Sequence, residues 1–109
     1  MAELNFNATT VKQTGTDDGI HDWMEINSSP NIEVFRVMSS ASGDYFYSRK
    51  FSKVIGYEAQ NHGATAATGV ARDPPKISIT ERTDGGMAKV TITHSATQEV
   101  FTIILYGEA

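Results

Sequence analysis

The sequence predicts an all-β fold: a single-domain antiparallel sandwich or flattened barrel with an extended N-terminal arm. Residues 76–80 and 88–94 carry apolar side chains at alternate positions, which is the period of a strand with one buried face. Between them, residues 84–86 read Asp-Gly-Gly and can supply the positive φ angles of a tight hairpin. No long stretch has the 3.6-residue period of a helix. A jelly roll is one form of this class that the pattern leaves open.

The N-terminal third predicts an arm followed by two strands. Residues 1–19 are polar, with Leu4 and Phe6 among their few large apolar side chains, and we expect an extended arm and loop with at most one short strand, from 4 to 8. The domain proper then spans residues 20–109. Residues 20–26 and 32–38 favour two strands joined by a turn, because Ser, Pro and Asn lie between them.

The rest of the chain continues with strands. Residues 44–48 and 51–57 are rich in aromatic and β-branched side chains, which favour strands. Residues 59–71 are small and polar and indicate a loop or an edge strand, with a short helix as the alternative. Residues 100–106 are apolar on both faces, which predicts a central strand covered on both sides and the third strand of a meander with 76–80 and 88–94.

Alternation along these last strands also predicts the hydrophobic core. Trp23 and Phe35 should pack on the same sheets or at a subunit contact. The side chains expected to be buried are Ile77, Ile79, Val90, Ile92, Phe101, Ile103 and Leu105.

Composition excludes several classes of function. The chain has 109 residues, 39% of them hydrophobic, which fits one ordinary globular domain. It has no cysteine, so disulfides and thiolate sites are excluded, and no signal-peptide pattern, so we expect a soluble protein assembled inside the cell. A net charge of −4 with scattered basic residues argues against nucleic acid, and no apolar run is long enough to span a membrane.

No residue pattern predicts catalysis or a cofactor. The three histidines, 21, 62 and 94, have no metal-ligand spacing, and no nucleophile can be assigned to any of them. His94 follows a strand and is expected at the rim of a sheet. We therefore expect no enzyme activity, no metal and no cofactor.

Aromatic and arm residues are the candidates for a partner interface. Tyr45, Phe46 and Tyr47 are consecutive, so their rings must point to opposite faces of a strand. Either both faces are covered within the domain, or one face meets a partner, or it forms a platform for a sugar. Leu4 and Phe6 are isolated apolar residues in a polar arm and are expected to dock on a partner while contributing little to the fold. The candidate interface residues are Leu4, Phe6, Trp23, Tyr45 and Tyr47.

Several segments resemble the small all-β virion proteins of tailed bacteriophages, the class that includes capsid decoration (cement) proteins. The resemblance lies in residues 47–57, in Pro75-Lys-Ile-Ser-Ile79, in Val90-Thr-Ile-Thr-His94 and in Phe101-Thr-Ile-Ile-Leu-Tyr-Gly107. It covers about half of the chain and transfers no functional residue.

A decoration protein would bind the major capsid protein on the outer capsid surface and stabilise the shell. The resemblance implies a homo-oligomer, a trimer or a dimer, that is assembled in the host cytoplasm and located on the virion. Many small contacts would then act together. The alternatives are a phage tail, head-fibre or adaptor protein, and a β module that binds a carbohydrate or a peptide.

Overall fold

The computed structural model describes residues 3–6, 18–62, 75–82, 84–94 and 99–108. Within these residues the chain forms two antiparallel sheets and no helix, which confirms the predicted all-β sandwich. No helix in this part of the chain is long and apolar enough to cross a membrane. The strands are β1 (Gly19–Ile26), β2 (Asn31–Ser39), β3 (Tyr45–Tyr47), β4 (Lys53–Asn61), β5 (Lys76–Thr80), β6 (Lys89–Thr93) and β7 (Glu99–Glu108).

The strand pairing is nested. One sheet has the order β1-β2-β7-β4 and the other has the order β3-β6-β5. The second strand therefore pairs with the seventh and the third with the sixth, as in a long hairpin that has been rolled into two sheets. Nested pairing of this kind is characteristic of jelly rolls.

The predicted meander is wrong for its third strand. β5 and β6 form the expected hairpin, but β7 lies in the other sheet, between β2 and β4. Both edges of β6 are occupied, by β3 and β5. The ten residues of β7 instead pair with strands of nine residues on each side, which satisfies more backbone hydrogen bonds than the five residues of β6 would.

The core lies between the two sheets and contains the predicted side chains. Phe35, on β2, is fully buried, and its ring lies 4.7 Å from that of Phe46 on β3. Ile79 and Trp23 are half-buried at the margin. The remaining core residues predicted from the sequence are buried: Ile77, Val90, Ile92, Phe101, Ile103 and Leu105.

β7 is central in its sheet, but the prediction that it is covered on both sides is wrong for most of its length. Its inner residues Phe101, Ile103 and Leu105 are fully buried, whereas Ile104 and Tyr106 on the outer face are half-buried. No second layer of described residues covers this outer face. Its apolar residues reflect cross-strand contacts within the sheet.

The N-terminal segment 3–6 bridges the two sheets. The N–H of Leu4 donates to the carbonyl of Tyr45 at the edge of β3, and the N–H of Ile20 at the edge of β1 donates to the carbonyl of Asn5. Leu4 is only 4% exposed and belongs to the core. The expectations that Leu4 docks on a partner and that this segment contributes little to the fold are therefore corrected. The remainder of the arm, residues 7–17, lies outside the described residues.

Two glycines meet specific backbone requirements. Gly85 has a φ of 81° in the β5–β6 hairpin, where the sequence predicted a positive φ. Gly107 lies on the inner face of β7, where a Cβ atom would come within 2.7 Å of the Phe51 ring. A side chain larger than hydrogen at residue 107 would displace that ring from the core.

β4 extends beyond its predicted end. The sequence placed a strand at 51–57 and a loop or edge strand at 59–71, whereas β4 runs from Lys53 to Asn61 at the edge of its sheet. The edge-strand alternative is therefore correct for residues 59–61. Residues 63–71 lie outside the described residues.

Candidate functional site

Tyr45 and Tyr47 lie side by side on the outer face of the three-stranded sheet. Because β3 alternates, Phe46 points into the core and both tyrosines point outward. Their ring centroids are 5.8 Å apart and the planes are nearly perpendicular, at 81°. This edge-to-face arrangement is a favourable geometry for two aromatic rings.

A cation lies over each of these tyrosine rings. Lys89 Nζ is 4.2 Å from the centroid of Tyr45, and Arg82 Cζ is 5.0 Å from that of Tyr47. Lys89 is the cross-strand partner of Tyr47 on β6, so the strand register places it there. Cation–π contacts of this kind restrain both the rings and the cations. We call these four residues, Tyr45, Tyr47, Arg82 and Lys89, the tyrosine face.

The hairpin beside the tyrosine face fixes Arg82. Arg82 Nη2 lies 2.7 Å from Asp84 Oδ2, and the N–H of Gly86 donates to the other oxygen of Asp84. The hydrogen bond and charge of Asp84 raise the pKa of Arg82, and the hydrogen bond from Arg82 lowers the pKa of Asp84. Both groups are exposed, so the pair orients the guanidinium more than it stabilises the fold.

The strands around the tyrosine face add basic and hydroxyl groups. Alternation along β5 and β6 places Lys76, Ser78 and Thr80, and Thr91 and Thr93, on the outer side, opposite the buried residues of the same strands. None of the outward-facing residues of β3, β5 and β6 is acidic. The outer side of these three strands therefore carries tyrosine, lysine and hydroxyl side chains, and two exposed carboxylates lie at its margin, Glu3 bridged to Tyr45 and Asp84 paired with Arg82.

Phe6 and Trp23 form a second aromatic group with Arg49. The Arg49 guanidinium carbon lies 4.3 Å from the Phe6 centroid and 5.1 Å from the Trp23 centroid. Phe6 is 48% exposed, whereas Trp23 is half-buried, and its indole N–H donates to Glu33 at 2.9 Å. These two candidates therefore lie together, but Trp23 is held by the domain itself.

Glu33 is a fully buried carboxylate whose hydrogen-bond partners all donate. It accepts from the indole of Trp23, from the hydroxyl of Ser48 and from the N–H of Arg49, at 3.1 Å. Ser48 in turn accepts from the N–H of Phe51 at 2.8 Å. We call Trp23, Glu33, Ser48 and Arg49 the Glu33 cluster, which ties the loop after β3 to β1 and β2.

A second buried polar group lies at the other end of β2. His94 Nδ1 is 3.0 Å from Glu99 Oε1, and His94 Nε2 is 2.9 Å from Ser39 Oγ. Ser39 Oγ lies 2.8 Å from Asp44 Oδ2, and Asn61 Nδ2 donates to the other oxygen of Glu99 at 3.0 Å. We call Glu99, His94, Ser39 and Asp44 the His94 relay. The His94 side chain is 1% exposed, so the expectation of a rim histidine is corrected.

The order of serine, histidine and glutamate in the relay resembles a nucleophile, a base and its orienting acid. Ser39 is 0% exposed, however, and its hydroxyl also contacts Asp44, so a substrate has no path to Oγ in this conformation. Among the described residues there is no group of three or more His, Asp or Glu side chains that could hold a metal. The arrangement supports a buried polar network better than an active site.

The outer face of the four-stranded sheet is the other large exposed surface. Its apolar side chains include Met24 and Ile26, which are 52% and 43% exposed. Tyr106 on the same face donates its hydroxyl hydrogen to Glu58 at 2.6 Å, and this hydrogen bond and charge raise the pKa of Tyr106. An open groove of about 400 Å³ runs between Met24, Val34 and Arg36.

The five residues predicted for the interface thus do not form one surface. Leu4 is in the core, Phe6 and Trp23 lie with Arg49, and Tyr45 and Tyr47 lie on the tyrosine face. Sequence reasoning missed Arg82 and Lys89, because only the register of β3 against β6 and the hairpin geometry bring these cations onto the rings.

Comparison with protein-family models, with curated proteins and with solved structures finds no match to this chain.

Proposed function

We propose that this protein is a structural protein of a tailed-phage virion, a decoration protein that binds the major capsid protein through the tyrosine face. The observation that carries the proposal is the pair of outward tyrosines, Tyr45 and Tyr47, each with a cation over its ring. The sequence resemblance to decoration proteins supplies the phage context. Jelly-roll domains occur in viral capsids and also in lectins, so the fold is compatible with this function without selecting it.

The tyrosine face has the composition and rigidity of a binding surface. Tyrosine and arginine are enriched among residues that dominate binding energy. Here the rings are already restrained by each other and by Arg82 and Lys89, so little side-chain freedom remains to be lost on docking. The same cations cover one side of each ring, which supports a protein partner better than the sugar-platform alternative.

Charge points to the chemistry of the partner. Lys76, Arg82 and Lys89 lie on or beside this face, Asp84 neutralises Arg82, and the exposed Glu3 bridges to Tyr45 at the edge of β3. The two lysines on the outer side of β5 and β6 are complementary to carboxylates, and we propose that the capsid surface presents carboxylates opposite these lysines. Rim charges of this kind mainly accelerate association and make it sensitive to salt.

Shell stabilisation would come from repetition. A domain that docks many times on a symmetric shell, as a dimer or trimer, links neighbouring capsid subunits and adds their weak contacts together. The single-domain sandwich supplies a rigid spacer for this purpose. The proposal requires no catalytic group.

The test is binding of the purified protein to empty capsids of the phage whose genome encodes it. Tyr45→Ala should weaken binding by roughly thirtyfold, the effect of losing a hot-spot side chain worth about 2 kcal/mol. Tyr57→Ala is the matched control, because Tyr57 is a 47% exposed tyrosine on β4 of the other sheet, and its removal should leave binding unchanged.

Two outcomes would contradict the proposal. Full occupancy of the shell by Tyr45→Ala would exclude the tyrosine face, and a wild-type protein present in only a few copies per virion would indicate a tail or portal position instead of decoration. Binding of glycans in preference to shells would favour the carbohydrate-binding alternative. Gel-band intensities of purified virions give the copy number.

A further inference from the structure

The β5–β6 hairpin holds the Arg82 side chain in one position through three neighbours. Arg82 Nη2 donates to Asp84 Oδ2 at 2.7 Å, and Arg82 Cζ lies 5.0 Å from the centroid of the Tyr47 ring. The third neighbour is Gly86, where a Cβ atom would lie only 2.6 Å from Arg82 Cζ. The Arg82 side chain is nevertheless 38% exposed. Arg82 is therefore both fixed and accessible before any partner binds.

Gly86 contacts the flat face of the guanidinium and leaves its edges open. The Cβ atom at residue 86 would be nearer to Arg82 Cζ, at 2.6 Å, than to Nε and Nη1, both at 2.9 Å. A group that approached along an edge would meet the nitrogens first, whereas the N–H bonds of arginine lie in the plane. Within the described residues, Asp84 is the only hydrogen-bond partner of this guanidinium, through Nη2. The N–H groups of Nε and Nη1 are therefore available as donors.

The charges of the hairpin indicate which acceptor suits these donors. Asp84 neutralises Arg82, and the adjacent Glu81 is also exposed. Residues 81–84 thus carry one cation and two carboxylates. A carboxylate of a partner would be repelled by these like charges. A neutral oxygen avoids this repulsion and still accepts a strong hydrogen bond from the charged donor.

We propose that Arg82 determines the specificity of the tyrosine face by donating from Nε and Nη1 to backbone carbonyl oxygens of the capsid protein. This inference rests on the function proposed above. Lys76 and Lys89 then attract carboxylates, whereas Arg82 sets the register of docking. A fixed planar donor selects by geometry, because a hydrogen bond weakens steeply when its distance or angle is wrong.

Gly86→Ala tests the position of Arg82 without changing any charge. Nonbonded carbon atoms pack at about 3.5 Å, so the new methyl group should displace the guanidinium by about 1 Å. Gly86 is not among the glycines with a positive φ, and the displaced group is the end of a flexible side chain, so the fold should remain intact. Capsid binding should weaken by roughly tenfold, the effect of losing one hydrogen bond from a charged donor. A contact through charge alone would tolerate this small shift, so wild-type affinity would overturn the proposal.

Gly56→Ala is the matched control. A Cβ atom at residue 56, on β4 of the other sheet, would lie 3.7 Å from Tyr106 Cδ2, which is an ordinary contact, and binding should equal that of wild type. The double variant Arg82→Ala/Gly86→Ala should bind no more weakly than Arg82→Ala. A further loss in the double variant would show that the methyl group itself obstructs the capsid and would contradict the proposal.

Ionic strength distinguishes a neutral acceptor from a carboxylate. The double variant Arg82→Gln/Asp84→Asn removes both charges of the pair and leaves the net charge unchanged. The ratio of its dissociation constant to that of wild type should stay constant between about 0.05 M and about 0.5 M salt, because a neutral acceptor is not screened. The same ratio for Lys76→Ala should fall toward one. A ratio for the double variant that fell in the same way would identify a carboxylate as the acceptor and would overturn the proposal.

The failure of this inference can be told apart from failure of the proposed function. If Tyr45→Ala binds capsids as wild type does, the proposed function fails, and the partner assigned to Arg82 fails with it. If Tyr45→Ala binds weakly but Gly86→Ala does not, only the role of Arg82 fails.

The fixed position of Arg82 is tested in the isolated protein. The hydrogen bond from Arg82 lowers the pKa of Asp84, so Asp84 should titrate at lower pH in wild type than in Arg82→Ala. Carbon-13 NMR of the Asp84 carboxyl group measures both pKa values. Equal values would show that the pair does not form in solution and would overturn the proposal without any capsid.

Discussion

The Glu33 cluster and the His94 relay lie on the same inner face of the four-stranded sheet, at opposite ends of β2. Glu33 and Ser39 are six residues apart on that strand, which corresponds to roughly 20 Å. Each site has a buried glutamate, a serine hydroxyl and a ring nitrogen, and no buried side-chain polar atom in the described part of the chain lacks a hydrogen-bond partner. At Glu33 every partner named donates to the carboxylate, whereas in the relay a histidine and a serine lie between two carboxylates.

The difference shows that burial alone does not decide what a carboxylate requires. Glu33 accepts hydrogen bonds from an indole, a hydroxyl and a backbone N–H, which can only donate to a carboxylate. Glu99 contacts a histidine ring and Asp44 contacts a serine hydroxyl, and each of these groups can also accept a hydrogen. The two ends therefore differ in hydrogen-bond chemistry although their compositions are similar.

The largest effect is expected from Leu105→Ala, which provides a reference without charge. Leu105 is the fully buried cross-strand partner of Glu33 on β7. Its truncation should cost about 2–5 kcal/mol of unfolding free energy, from lost burial and the cavity left behind. Urea unfolding measures this loss. A loss under about 1 kcal/mol would show that the side chains beside Glu33 are not tightly packed and would break the comparison.

A smaller effect is expected from Leu4→Ala. Leu4 is buried between the sheet edges joined by the 3–6 segment, so its truncation should cost about 2 kcal/mol in the isolated protein. Phe6→Ala is the control, because that side chain is 48% exposed, and it should cost under about 1 kcal/mol. Equal melting temperatures for Leu4→Ala and wild type would show that segment 3–6 contributes little to the fold, as the sequence predicted.

The smallest effect is expected from His62→Gln, near the relay end. Burial and then the nearby charge of Arg36 lower the pKa of His62, whose Nε2 lies 2.8 Å from the hydroxyl oxygen of Thr102. His62 is therefore protonated to a smaller extent in the folded chain than in the unfolded chain. The free energy of unfolding should decrease as pH falls below about 6.5. His62→Gln should reduce this acid-side loss in urea unfolding between pH 5 and 7. If His62→Gln and wild type lost the same stability between pH 7 and 5, the loss would come from other groups.

The sequence was sufficient for the secondary structure because alternation is a local signal. Residues 76–80 were predicted as a strand and form β5 with these bounds, and the core side chains of β6 and β7 followed from the same period. The prediction placed β7 in the wrong sheet, because strand length and competition for sheet edges are properties of the whole fold. The sequence did not predict the burial of Leu4 for a similar reason. Residues 3–6 are held by backbone hydrogen bonds to distant strands, and such bonds leave no local pattern in the sequence.

The candidate sites depended even more on register. Tyr45 and Tyr47 were identified from their spacing alone, but Lys89 and Arg82 reach their rings across the sheet. The His94 relay contains a direct contact between residues 55 positions apart in the chain, Ser39 and His94, so no motif could reveal it. Its members are individually ordinary residues, and only the fold brings them together.

The short 3–6 segment has a consequence for the behaviour of the protein in concentrated solution. Its backbone makes one hydrogen bond to the outer edge of β1 and one to that of β3, at positions that would otherwise present unpaired backbone groups. Such groups are templates for strands of other molecules. Four residues therefore occupy one position on each of two edges, and we expect a chain that lacks them to be more prone to edge-to-edge aggregation in concentrated solution, even where its two sheets remain folded.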